Sequence, residues 1–81
     1  MREEINEQIS VLASFDKNQI KIMAFKWGQT KYIVIKTNLA YEAREGQELV
    51  RYFSVSDPGN LFTLAFYPLQ NLWQLKEVFS Q

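Results

Sequence analysis

Glu42, Glu45 and Glu48, with Arg44 among them, repeat a carboxylate at every third position. Two carboxylates are the least that glycoside hydrolysis requires, and three can hold a hard cation. The same spacing beside Gly46 is what a solvated connection looks like, and no apolar run converges on it. The sequence therefore assigns no catalytic residue and no metal ligand. With no cysteine and no histidine, thiolate nucleophiles, disulfides, zinc–sulfur sites and the commonest general base are all excluded. Gly28, Gly46 and Gly59 lie far apart and each reads as turn punctuation, so no phosphate-cradling loop and no cofactor are expected.

The aromatic residues carry a different chemistry. Trp27, Tyr32, Tyr52, Tyr67 and Trp73, interleaved with Lys26, Lys31 and Arg51, have the residue types of a stacking platform for single-stranded nucleic acid. Against it stands the charge: nine basic and nine acidic residues cancel, and phosphate contacts supply most non-specific affinity. Locally the balance differs, with five lysines against Asp16 between Asp16 and Ala40, a net +4. Lysines of this kind also protect strand edges.

The elements that must position these residues are short. A chain of 81 residues is expected to form a single domain over 1–81. So small a chain buries only about 60–65% of its unfolded surface, which demands bulky core residues. They are present: 47% of residues are hydrophobic and 15% aromatic. The N-terminus is charged, with no apolar run of signal or membrane-spanning length, so a cytoplasmic protein without membrane association is the expectation.

Turn signals divide the chain. Asp57-Pro58-Gly59-Asn60 predicts a hairpin with Gly59 at positive φ. Trp27-Gly28-Gln29-Thr30 predicts a second hairpin of the II′ or bulged kind. The flanking runs are rich in Ile, Val, Tyr, Phe and Thr and are read as strands near 19–27, 30–38, 48–56 and 60–67. Residues 38–47 read as a long polar connection. Asp16-Lys17-Asn18 is a turn, which favours a strand over 8–15. Ile5, Ile9 and Leu12 nevertheless have helical spacing, and residues 71–79 fit either periodicity.

Strand parity then assigns faces. Met23, Phe25, Trp27, Tyr32, Val34, Phe53, Val55, Phe62, Leu64 and Phe66 form the expected core. Ile20, Ile22, Ile33, Ile35, Tyr52 and Tyr67 fall on the opposite face, too apolar to be wholly solvated. That face is the candidate interaction surface, to be covered by a terminal segment, a second copy or another protein.

Ile9-Ser10-Val11, Phe25-Lys26-Trp27-Gly28, Tyr32-Ile33-Val34, Tyr52-Phe53-Ser54-Val55, Phe62-Thr63-Leu64-Ala65-Phe66 and Trp73-Gln74-Leu75 together give the chain its order of signals. In that order it resembles a small bacterial domain family of unassigned function, found also at the C-terminus of some Y-family mutagenesis polymerase homologues. The resemblance implies an all-β domain with strands first and last, and transfers no catalytic residue.

The expected fold is an all-β antiparallel meander of five or six strands curled into a small barrel or half-barrel. The alternative is an α+β arrangement with a helix over 2–14 lying on the sheet. The expected function is a non-enzymatic protein-interaction module of unknown partner, open to homodimer formation. The alternative is a small β-barrel binding single-stranded nucleic acid through Lys26, Lys31 and Arg51.

Overall fold

A computed structural model describes residues 1–80 and contains seven strands and no helix among them. They are β1 (Arg2–Asp16), β2 (Gln19–Trp27), β3 (Thr30–Ile33), β4 (Lys36–Glu45), β5 (Glu48–Ser56), β6 (Asn60–Tyr67) and β7 (Leu72–Ser80). All pair antiparallel in one sheet of order β3-β2-β1-β7-β6-β5-β4. The all-β meander is therefore the fold, with seven strands where five or six were expected. Residues 2–14, the alternative helix, lie within β1, and residues 72–80 are the last strand.

β1 organises the sheet. Its first half, from Arg2 to Ile9, pairs with β7, and its second half, from Ser10 to Asp16, pairs with β2. A bulge sits between Glu4 and Glu7, where Asn6 has φ 55°, a conformation that asparagine tolerates better than most residues. Divided between two partners, β1 lets the sheet curl until β2 and β3 lie over β6. Phe25 meets Phe62 edge to face at 4.9 Å, and Tyr32 meets the same ring at 5.1 Å. Inside this half-barrel Ile9, Ile22, Phe25, Phe53, Val55, Phe62, Leu64 and Leu75 are buried together. Of the expected core, Tyr32, Val34, Trp27 and Phe66 pack against this cluster only half-buried.

The turns follow backbone chemistry. Lys17 and Asn18, at φ 49° and 68°, connect Asp16 to Gln19 with both central residues left-handed, the I′ geometry that matches strand twist. Gly28 and Gly46, both at φ 60°, open the two-residue turns after Trp27 and Glu45. Gly59 does not take the positive φ expected of it. Instead the Asp57 carboxylate accepts hydrogen bonds from the N–H groups of Gly59 (2.9 Å) and Asn60 (2.8 Å), an Asx turn that holds the loop without a left-handed residue.

Two readings of the chain are corrected by register. The run at 30–38 is not one strand: Val34 N–H donates to Met23 O (3.0 Å), and Ile35 N–H donates to Ser56 O (2.9 Å). The chain thus leaves one edge of the sheet and begins the other within two residues. What read as a polar connection over 38–47 is mostly β4, where Leu39, Tyr41 and Ala43 alternate with charged or small residues along β5. The sheet is not closed, since β3 and β4 have no ladder with each other.

Candidate interaction surfaces

A bulge in β2 displaces part of the outer face that simple alternation along the strand assigns. In the β1–β2 ladder Leu12 faces Ala24 while Ala13 faces Ile22, leaving Met23 as the extra residue. Beyond that bulge the parity of β2 reverses. Ile20 and Ile22 therefore turn inward with Phe25, Ile22 being only 2% exposed, and are withdrawn from the expected interaction face. Met23, expected in the core, is exposed. Ile33 and Ile35 remain outside, at 60% and 65% exposure.

The face of β1, β2 and β3 thereby acquires a cross-strand row of Leu12, Ala24 and Ile33, because Leu12 is opposite Ala24 and Ala24 is opposite Ile33. A parallel row follows two residues on, with Ser10 opposite Lys26 and Lys26 opposite Lys31. Ser10, Leu12, Ala24, Lys26 and Lys31 line a shallow hollow of about 280 Å³. Two ammonium groups directly opposite each other in a ladder repel, a cost that a site for an acidic group would offset. Lys26 and Lys31 are thus brought together as nucleic-acid contacts would need, whereas Arg51 lies on β5 beside Phe53, with its guanidinium 6.0 Å from that ring.

The aromatics divide between the two faces. Tyr32 stacks on Phe25 (5.1 Å), and Trp73 packs between Phe66 (4.8 Å) and Phe53 (5.5 Å), all on the inner side. Trp27 lies at the rim, where its indole N–H donates to the Glu7 carboxylate (2.7 Å). Tyr52 and Tyr67 are on the outer side of β5 and β6. They are not free anchors: with Leu72 they roof Val50 and Ala65, forming a second small core, and Tyr67 is itself 7% exposed. Tyr41 stacks on Tyr52 at 5.2 Å. The hydroxyls of Tyr52 and Tyr67 both donate to Glu45, and the Lys76 ammonium donates to Tyr67 Oη (2.9 Å). The outer face of β4 to β7 is therefore partly covered by its own tyrosines. Tyr52 and Tyr67 do not join Ile33 and Ile35 in one patch.

The carboxylates that opened the sequence reading have structural partners. Glu42 contacts Arg51 (3.5 Å), Glu45 takes the tyrosines, and Glu48 accepts from the Leu69 N–H (2.7 Å) and the Gln70 amide (3.1 Å). Across the sheet Arg2 pairs with Glu77 at 2.7 Å, and that hydrogen bond raises the guanidinium pKa further above its ordinary value. Leu12 and Met23 were missed as surface residues because a bulge leaves no mark on composition, whereas Ala24, between Leu12 and Ile33, is only 3% exposed. No family model, curated protein or solved structure matches the chain.

Proposed function

We propose that this chain is a non-enzymatic interaction module that associates with a second copy of itself through the outer face of β1, β2 and β3. The observation that carries the reading is the row of Leu12, Ala24 and Ile33, in which the two large side chains are 61% and 60% exposed. Burying a Leu or Ile side chain fully is worth about 1.5–3 kcal/mol, so a bare row forgoes a large part of a small domain's stability. A two-fold arrangement covers one patch with the same patch and needs no further component. Lys26 and Lys31 stand at its margin, where charge limits open-ended stacking of copies. Single-stranded nucleic acid is the second reading, favoured by the adjacency of those two lysines, but the rings that would stack bases beside them face inward.

Sedimentation equilibrium of the wild-type chain and Ile33→Glu tests this. The expected result is a dimer that Ile33→Glu converts to a folded monomer, with the wild-type association insensitive to salt. A monomeric wild-type chain overturns self-association. Retention of the chain on oligothymidine that weakens steeply with salt favours the nucleic-acid reading instead.

A further inference from the structure

The seam between β2 and β4 has no role in the reading above. The β2–β3 ladder ends with Ala24 opposite Ile33 and the adjoining bond from Val34, so, among the described residues, 19–22 of β2 have ladder partners in β1 only. β4 pairs with β5 and, among the described residues, with no other strand. Two free strand edges therefore diverge from Val34 and Ile35 and face a common groove of about 470 Å³. Ile20 and Lys21 form one wall, Thr37 and Ala40 the other, and Arg51 and Phe53 the floor. A second hollow shares Ile20 and Arg51 and extends past Lys17 and Asp16 to Phe15, which is 76% exposed.

Two properties define what fits. Along a free edge, alternate N–H and C=O groups point outward without a ladder partner, and the natural complement of such a row is another extended polypeptide. A phosphodiester chain offers no matching alternation of donors and acceptors. The second property is charge: the two hollows are lined by Lys17, Lys21 and Arg51 against Asp16, with Glu42 occupying one side of Arg51 at 3.5 Å. An occupant carrying carboxylates is favoured over one carrying ammonium groups.

We propose that the seam accepts an extended segment of another protein, bearing both carboxylates and apolar side chains, as an added strand on β4. Its backbone pairs with the free edge of Lys36–Glu45, ten residues that provide a ladder about 33 Å long. Apolar side chains enter toward Ile20 and Phe53, and carboxylates reach Lys21 and Arg51. The proposal uses neither Ile33 nor Leu12, so it stands apart from self-association through the other face.

The test uses the full chain and two blocked decapeptides, one alternating Val with Glu and the other Val with Lys, both equally able to extend. Binding is followed by fluorescence anisotropy, and its location by amide hydrogen exchange. The expected result is that the Val–Glu peptide binds and slows exchange at the amides of β4, while the Val–Lys peptide does not. Lys21→Glu, an exposed substitution, should weaken that binding by about tenfold, with Arg51→Glu as the second variant and Ile33→Glu without effect. The proposal is overturned if neither peptide binds, if both bind alike, or if Lys21→Glu and Arg51→Glu change nothing. It is equally overturned if protection falls on Leu12 and Ile33, if oligothymidine protects the same β4 amides, or if those amides are already protected in a self-associated chain without peptide.

Discussion

Ile22 and Ile33 are the same residue type on neighbouring strands, and the Met23 bulge alone decides that one is core and the other surface. Truncating each to alanine converts that difference into a measurable free energy. Ile22→Ala removes three carbons from a site 2% exposed, within the cluster of Ile9, Phe25, Phe53 and Leu75. At about 0.8 kcal/mol per buried carbon the transfer loss is about 2.4 kcal/mol, and the cavity left among these residues raises it to about 3–4 kcal/mol. A domain of this length holds about 4–12 kcal/mol in all, so the variant stays folded with a much lower denaturation midpoint, or falls near its threshold. Ile33→Ala removes the same carbons from a side chain 60% exposed, and for the monomer the cost should stay within about 0.5 kcal/mol. Urea titration followed by tryptophan fluorescence, at a concentration below any self-association, reads both. Equal losses, or a larger loss at Ile33, would refute the bulge as the device that sorts the two faces.

The Asx turn and the first hairpin make sharper local predictions. Gly59→Ala should leave the thermal midpoint nearly unchanged, since a Cβ there meets nothing within 4 Å and φ is not left-handed, whereas Asp57→Ala should cost about 1 kcal/mol for the bonds its carboxylate accepts; calorimetry of the two variants gives the ranking. Asn18→Gly should raise the midpoint slightly, because relief of the left-handed conformation at φ 68° in an I′ turn outweighs the freedom glycine adds to the unfolded chain, and a lower midpoint for that variant would contradict the turn assignment.

The parts of this fold that could be read in advance are those whose chemistry is local. Asp57-Pro58 and Gly28 mark turns wherever they occur, and the β-branched and aromatic runs after them need no tertiary context to favour extension. Residues 2–14 were ambiguous for an equally local reason: Ile5, Ile9 and Leu12 have helical spacing only by mixing two faces of a strand, since Ile9 is buried and Leu12 lies outside. β4 was hidden because Asn38, Glu42, Arg44 and Glu45 have weak strand preference, and only pairing with β5 holds them extended. The faces of β2 could not have been assigned, because the parity reversal at Met23 is fixed by its pairing with Leu12 and Ala13, not by its own neighbours. The candidate surface inherited that error in Ile20 and Ile22, while Lys26, Lys31 and Ile33 fell where alternation places them. Tyr52 and Tyr67 lie on the outer side as alternation places them, but the roof they make over Val50 and Ala65 also needs Leu72, which pairs with Tyr67 only because residues 72–80, of ambiguous periodicity, form a strand.

The division of β1 between β2 and β7 has a kinetic consequence. Five of the six ladders join strands adjacent in the chain and can form by closing short turns. The sixth joins the beginning of the described chain to its end, with the Met1 amino group donating to Ser80 O across 79 positions. Two local meanders, β1 to β3 and β4 to β7, can each form early, but neither encloses Phe62 until that long closure occurs. Loop entropy must be spent before the core returns it, which places folding of this small domain toward the slower, millisecond-to-second range of high-contact-order proteins. Until the ends meet, the future inner faces and the edges of β1 and β7 stand open to other chains, so the exposure of the molecule to misassembly is set by the slowest of its pairings.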